Sequence, residues 1–406
     1  MNYSDLVRKY GSPLYVYNID ALADSYHKLR SYLPDDSILY YSLKANPHPV
    51  LVGQLVRLGC RCEVSSVNEL AVALQAGARA DRVQYTGPAK TRNEIETAVI
   101  RGVRLFSCES WNEFDKLNSV AEEHATKLAV VLRVNPNSKN LRSSLAMTGV
   151  SSQFGIDEDK IMNGSLDFLA HPSMEVIGFH VFNGTNSTDV GSLIDSFAYS
   201  IQMAKRLAEE LNINLRYLNL GGGFGHPYAK FGDSPNFSIL KSELTALLDS
   251  EIPEWRNNET QVAFESGRFI AGSCGQYICS IEDIKESKGS RYVILNGGIN
   301  HLGGMSGLGR MQKLDVDFAV SDEASSEEND IASLVGPLCT PLDFIRRPGE
   351  IPKLDINDHI VIPNVGAYGL TSSLLGFLSR ESPLEIVYSV NEVIDISRIE
   401  LERKKY

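Results

Sequence analysis

Lys44 falls in Tyr41-Ser42-Leu43-Lys44-Ala45-Asn46, at the end of an apolar, β-like run. A lysine at the C-terminal end of a buried strand becomes a nucleophile when its surroundings lower its pKa, and Schiff-base formation is the chemistry such a lysine does best. A lone strand-end lysine is more often a solvated surface residue, so the weight comes from what lies downstream. Leu220-Gly221-Gly222-Gly223-Phe224-Gly225 is a glycine-rich strand-to-loop turn whose backbone N–H groups could cradle a phosphate. Position 226 is His, so the run departs from GxGxxG, and a tight turn that needs glycine is the competing reading. Arg268 adds a bidentate cation for the same phosphate, or forms an ordinary ion pair. Glu265, beside a pyridine nitrogen, would hold that nitrogen protonated and complete an electron sink; a salt bridge to Arg268 or another arginine is its alternative.

These residues need elements that bring them together. Eight β-rich runs alternate with amphipathic stretches: 38–44, 61–66, 82–87, 103–110, 128–135, 175–182, 215–222 and 262–268. Eight consecutive β/α units closing near residue 270 predict a (β/α)8 TIM-type barrel, with a doubly wound sheet as the rival. Active sites of such barrels lie at the C-terminal ends of the strands. Lys44 closes the first run, Glu63 and Ser65 the second, Arg133 and Asn135 the fifth, Phe182 to Thr185 the sixth, Gly221 to Gly223 the seventh, and Glu265 to Arg268 the eighth. Beyond 270 the runs QYICSIEDI, RYVILNGG, DHIVIPN and LEIVYSVNEVIDI, punctuated by Gly, Pro, Asn and Asp, predict a C-terminal β-sandwich or barrel domain. The expected division is a barrel over 28–270 and a β domain over 1–27 plus 271–406, with PLYVYN at 13–18 adding a strand to the C-terminal sheet. The acidic stretch at 319–331 is expected to be a solvated loop.

With 51 acidic against 39 basic residues the net charge is −12, which disfavours a nucleic-acid backbone or an anionic membrane surface as partner. No apolar run reaches the roughly 18 residues of a membrane span and no signal peptide is evident, so a cytoplasmic location is expected. Cys60, Cys62, Cys108, Cys274, Cys279 and Cys339 show no CxxC pairing, so neither a metal site nor a disulfide framework is indicated. Buried thiols are the default for them.

YSLKAN at 41–46, EVSSVNEL at 63–70, QFG at 153–155, LNLGGGFG at 218–225, ESGR at 265–268, GPLCTPLD at 336–343 and VGAYG at 365–369 resemble the ordered motifs of the fold-type III pyridoxal-phosphate decarboxylases, which include diaminopimelate and ornithine decarboxylases. The resemblance spans nearly the whole chain. It implies an alanine-racemase-type barrel, a following β domain, pyridoxal 5'-phosphate as cofactor, and a homodimer with shared active sites. Lys44 resembles the lysine that carries the cofactor as a Schiff base, and Glu265 the acid paired with its ring nitrogen. Gly222, Gly223, Gly267, Arg268 and Tyr368 match positions that hold the cofactor, Gly184 and Thr185 among them on the sixth run. Glu63 stands where the family more often has Asp, and Glu69 and Arg133 match supporting polar residues. Cys339 resembles the cysteine that crosses the dimer interface and protonates the α-carbon.

Two departures bear on the substrate. Diaminopimelate and ornithine decarboxylases usually have an acidic residue after the catalytic cysteine, facing the distal ammonium; here Thr340-Pro341 follows, although Asp343 could compensate. The family's ring-stacking histidine corresponds to Phe182, which stacks but cannot hydrogen-bond. Both resemble the subgroup of secondary metabolism that decarboxylates carrier-protein-bound glutamate or citryl-diaminopropionate, in antibiotic or siderophore biosynthesis. A substrate acylated or anionic at its far end is therefore expected, with Asn300, His301 and Arg310 as further contacts. Diaminopimelate decarboxylase and an amino-acid racemase are the alternatives. A catalytically inactive binding regulator would be expected to have lost Lys44 or the glycines.

Overall fold

The computed structural model describes residues 2–137, 151–163, 171–182, 184–303, 314–321, 328–390 and 392–405. They form two compact units: residues 1–22, 226–234 and 271–406 in one, and 23–225 with 235–270 in the other. Strand β1 (Leu14–Asn18) belongs to the first.

The other unit is a closed barrel. Its strands are β2 (Ile38–Ser42), β3 (Arg61–Val64), β4 (Val83–Tyr85), β5 (Leu105–Cys108), β6 (Leu128–Asn135), β8 (Met174–Val181), β9 (Tyr217–Asn219) and β10 (Gln261–Ser266), with a two-residue β7 (Ile156–Asp157) beside β6. Every neighbouring pair is parallel, and the β10–β2 pairing closes the ring, which disposes of the doubly wound alternative. All eight expected runs are strands. All but β6 end earlier than their runs do, so Lys44 lies in a 3-10 turn over Leu43–Ala45 and the glycines in a loop beyond β9.

Three successive helices start on one device. Ser66, Thr91 and Ser110 cap Val67–Gln75, Arg92–Ile100 and Trp111–Glu123 by accepting from the amides of Glu69, Glu94 and Glu113. Ser/Thr-x-x-Glu is a helix-start signature, and it sets each βα turn after its strand. The three glutamates then diverge: Glu69 reaches back to the Ser65 amide, Glu94 to the Thr91 amide, and Glu113 turns inward to Lys90.

Strand register arranges the barrel interior in layers. Tyr40, Val131, Tyr217 and Ala263 pack together with Ile38, Leu105 and Ile177. Two residues further along their strands, on the same inward face, stand Ser42, Arg133, Asn219 and Glu265. Ser42 pairs with Glu63, Arg133 with His180, and His180 with Asn219. A closed apolar floor thus carries a polar ring at the strand ends.

In the first unit, β1 lies between β11 (Gly275–Ser287), to which it is antiparallel, and β17 (Leu384–Ser389), to which it is parallel, so PLYVYN adds the expected strand. The sheet continues through β12 (Ser290–Leu295), β14 (Asn329–Val335) and β15 (Phe344–Pro352) on one side and β18 (Glu392–Arg398) on the other, while β16 (His359–Ile362) joins β11 to β13 (Ala319–Val320). The stretch 319–331 is therefore not simply a loop: both its ends are strand, because Ile331, Ala332 and the residues after them continue a ladder with β15. Leu6, Leu14, Val16, Ile278, Val361 and Ile386 form a core of this unit. Residues 226–234 are held here through His226 and Asn364 side chains 3.1 Å apart, and through Asp317, which accepts from Lys230 and the Phe231 amide.

Glu385 on β17 is buried and accepts from the Tyr17 hydroxyl at 3.0 Å. Burial pushes its carboxyl up to about 7, the Tyr17 bond only partly offsetting it. The folded state therefore binds a proton that the unfolded chain releases near pH 4.5, so stability falls as pH rises from there through about 7. Glu385→Gln, which keeps an acceptor for Tyr17, is expected to flatten that fall in urea midpoints measured between pH 5 and 8; an unchanged slope would refute it.

Candidate active site

Lys44 projects from the turn after β2 with its Nζ 3.9 Å from Glu63 Oε1 and 5.6 Å from the centre of the Phe182 ring. Its side chain is 45 % exposed, whereas that of Glu63 is 2 % exposed, so a nucleophile reachable from solvent sits over a buried anion. Burial pushes the Glu63 carboxyl up, but the Lys44 charge, the Ser42 and Thr86 hydroxyls and Arg133 outweigh it and leave it below its ordinary range. Thr86 donates to Glu63 Oε1 and shares a 3.0 Å contact with the Ser65 hydroxyl. Glu63 Oε2 is buried with no hydrogen-bond partner among the described residues.

Arg133 is fixed from outside the ring. Its Nη1 donates to Glu109 Oε1 at 2.7 Å, Glu109 Oε2 accepts the Gly155 amide at 3.1 Å, and Phe154 lies 4.9 Å from the guanidinium. The QFG motif is thus clasped to Arg133 through an acid that sequence reading missed. Phe182 lies 5.9 Å from the same guanidinium. Arg133 Nε, like Glu63 Oε2, is buried with no hydrogen-bond partner among the described residues.

Glu265 is fully enclosed on β10, and Asn219 donates to its Oε1 at 2.8 Å. Asn219 also donates to Gln84 at 3.0 Å and accepts the Gly221 amide at 2.8 Å, so one side chain orients both the acid and the entry to the glycine loop. Burial and then the Glu63 charge raise the Glu265 pKa; Lys44, Arg133 and the Asn219 bond pull the other way but do not prevail. Its close neighbour is His180 Nε2, 3.4 Å from Oε1. His180, Asn219, Thr86 and Glu109 were all missed from the sequence. The register Arg133–His180–Asn219 across β6, β8 and β9 brings the first two to the site.

The glycine loop packs against the chain leaving β8. Gly221 has φ +67°, and a Cβ there would lie 2.6 Å from the Val181 carbonyl oxygen and 2.8 Å from the Phe182 ring. On Gly222 it would meet the Glu265 carbonyl oxygen at 2.3 Å, and on Gly223 the Gly184 carbonyl oxygen at 3.1 Å. Gly184 and Thr185 thus flank the loop, and Arg268 opens the short turn Arg268–Ala271 directly after β10. Gly267 serves Lys44 instead: a Cβ there would come within 2.6 Å of the Ala45 Cβ. Gly267→Ala is expected to shift the Lys44 turn and cost about 1–3 kcal/mol of stability. Denaturant unfolding, with borohydride trapping of the lysine, checks both; unchanged values would refute the contact.

The remaining expected residues lie in the other unit. Tyr368 adopts φ 57° and its carbonyl accepts from the Tyr228 hydroxyl at 3.0 Å. Cys339 is exposed, while the other five cysteines are buried. Asp343 is buried, with one carboxylate oxygen on the Ile299 amide and the other on the Leu338 amide, each at 2.8 Å. Its oxygens are committed to backbone, which argues against the compensating role for a substrate cation. Asn300 and His301 are also buried: Asn300 caps the Gly298 amide, and His301 faces Tyr277 and the Glu381 carbonyl. Both are spent on folding the 296–303 loop. Thr340 is half-buried, and Arg310 lies outside the described residues.

The family of pyridoxal-dependent decarboxylases, through its pyridoxal binding domain, matches residues 19–272. This chain belongs to that family. Among curated relatives of the decarboxylase, an L-glutamyl-[BtrI acyl-carrier protein] decarboxylase of Niallia circulans is 32 % identical over 94 % of this chain and 90 % of its own length. A diaminopimelate decarboxylase of Aquifex aeolicus is 27 % identical over 91 % of this chain and 85 % of its own. In fold, the decarboxylase is similar to the diaminopimelate decarboxylase of M. jannaschii in complex with L-lysine, with TM-score 0.85 at 24 % identity over 96 % of this chain and 90 % of that one. The decarboxylase uses pyridoxal 5'-phosphate, and its residues fit that group: a glycine cradle that a Cβ would fill, a lysine over the barrel mouth, and buried polar atoms on Glu63 and Arg133 left open. No helix among the described residues is long and apolar enough to cross a membrane, and no cluster of metal-binding side chains occurs among them.

Proposed function

We propose that this decarboxylase removes the α-carboxylate of an amino acid, with Lys44 and Cys339 as its catalytic residues. The observation that carries the reading is the convergence of Lys44, Glu63, Arg133 and Glu265 at the strand ends. The bound cofactor supplies the electron sink for the breaking Cα–carboxylate bond. Lys44 would hold it through Nζ, the atom that gives way to the substrate amine and frees the product. Glu265 would pair with the ring nitrogen. Gly222, Gly223, Arg268, Thr185 and Tyr368 would hold the phosphate, and Phe182 would cover a ring face. Cys339 gives its thiol proton to the α-carbon, and its exposure suits a thiol offered across a homodimer interface.

For the substrate, diaminopimelate decarboxylases recur among the curated relatives and the solved structures, which gives free diaminopimelate the broader support. A second reading, an amino acid acylated or anionic at its far end such as carrier-bound glutamate or citryl-diaminopropionate, is favoured by Thr340 after Cys339 and by the commitment of Asp343 to backbone. A relative whose name carries such a substrate is 32 % identical. Carbon dioxide release from meso-diaminopimelate, ornithine, lysine, citryl-diaminopropionate and glutamyl-carrier protein separates them. Turnover of free diaminopimelate alone establishes the first reading and excludes the second; turnover confined to a conjugate does the reverse, and none with any amino acid refutes both.

A further inference from the structure

His180 occupies an unusual place. It is 1 % exposed on β8, its Nδ1 lies 2.8 Å from the Ser107 hydroxyl, and its Nε2 lies 3.4 Å from Glu265 Oε1 without forming a hydrogen bond in this arrangement. The groups around it come from every neighbouring strand: Ser107 on β5, Arg133 on β6, Asn219 on β9 and Glu265 on β10, with Lys44, Glu63 and Lys90 nearby. Burial first, and then the positive charges of Arg133, Lys44 and Lys90, disfavour an imidazolium, so the ring is neutral and carries one proton on one nitrogen. Which nitrogen depends on the two neighbours.

A serine hydroxyl both donates and accepts, and a carboxyl does so only when protonated. Two complete arrangements follow. With Glu265 protonated, its O–H donates to a bare Nε2, and Nδ1–H donates to the Ser107 oxygen. With Glu265 ionised, Nε2–H donates to its Oε1, and the Ser107 hydroxyl turns to donate to Nδ1. The two differ by one proton, lost from the Ser107–His180–Glu265 set, while the imidazole stays neutral in both. We propose that Ser107 and His180 form a reversible pair that keeps Glu265 partnered in both charge states, His180 being a positioning residue: as Glu265 gives its proton to the ring nitrogen of pyridoxal phosphate, Nδ1 releases its proton to solvent water and Nε2 takes one from it, so that the ring stays neutral and only the Glu265 proton is lost from the set. Asn219 donates to Oε1 in either state and cannot supply this adaptation.

The inference rests on the pairing of Glu265 with the ring nitrogen proposed above. It is tested on the whole protein labelled with 15N-histidine, with and without saturating pyridoxal phosphate, the His180 signal being assigned by its loss in His180→Gln. The expected result is Nδ1–H in the cofactor-free protein and Nε2–H in the loaded one; one tautomer throughout, or a doubly protonated ring, overturns the proposal. Ser107→Ala is expected to weaken pyridoxal-phosphate binding about tenfold, with Ser107→Thr restoring it through the retained hydroxyl; equal affinity in all three proteins also overturns it. Glu265→Gln separates the two ideas. If it leaves the absorption spectrum and dissociation constant of the cofactor unchanged, the pairing itself is wrong; if it alters them while the wild-type tautomer stays fixed, only the tautomer change is.

Discussion

Lys44→Ala is expected to lower carbon dioxide release by about 10³-fold or more, with the protein still folded, because in the proposed mechanism Lys44 supplies the amine that holds the cofactor, over Glu63. Lys90 is buried in this barrel, and its Nζ is consumed by Gly87, Ser107 and Glu113, each at 2.7 Å. Borohydride treatment of the loaded protein should therefore tritiate Lys44 in the wild type and nothing in the variant, read by peptide mapping. Lys44→Arg is expected to be equally inactive, since a guanidinium keeps the charge near Glu63 but forms no Schiff base. Retention of more than a tenth of the activity by either variant would rule out Lys44.

Lys90→Met is expected to produce the largest loss of stability. The Lys90–Glu113 pair is 1 % and 3 % exposed, and truncating one partner leaves Glu113 charged and unpaired, together with two carbonyls that lose their donor. Breaking such a pair costs about 3–5 kcal/mol, which for a chain of this size lowers the thermal midpoint by roughly 4–6 °C. Lys90→Met with Glu113→Leu should recover part of the loss, since the unpaired anion goes but the carbonyls stay unsatisfied. Calorimetry of the single and double variants decides it, and equal midpoints for both would show that the ion pair contributes nothing. Lys116, which donates to the Lys90 carbonyl, is a surface control with little effect expected.

The barrel was legible because β-branched and aromatic runs recur eight times with helical spacing between them, a signal that does not depend on distant contacts. Lys44, Glu63, Arg133 and Glu265 could be picked out because each closes a run. His180 and Asn219 could not be, since each sits inside a strand that reads as apolar, and only the closed ring reveals that their positions face inward. Asn300, His301 and Asp343 show the opposite failure. Polar residues in a glycine-rich loop near a motif look like ligand contacts, yet they are spent on protein partners: Asn300 and Asp343 on backbone amides, His301 on the Tyr277 hydroxyl and the Glu381 carbonyl, pairings that pattern alone does not disclose. The β strands at 319–320 and 329–335 were hidden for a related reason: acidic residues dominate the composition there, while strand pairing is decided by the partner ladders with β16 and β15.

The close approach of Gly267 to Ala45 also constrains how this sequence can change. The two positions share one methyl-sized space, already filled from the Ala45 side. A larger residue at 267 is tolerable only after 45 has shrunk to glycine, and glycine at 45 loosens the turn that carries the reactive amine. Descent through either intermediate passes a poorer enzyme, so the pair is historically locked: drift at one site is barred by the other, although neither side chain has any chemistry of its own.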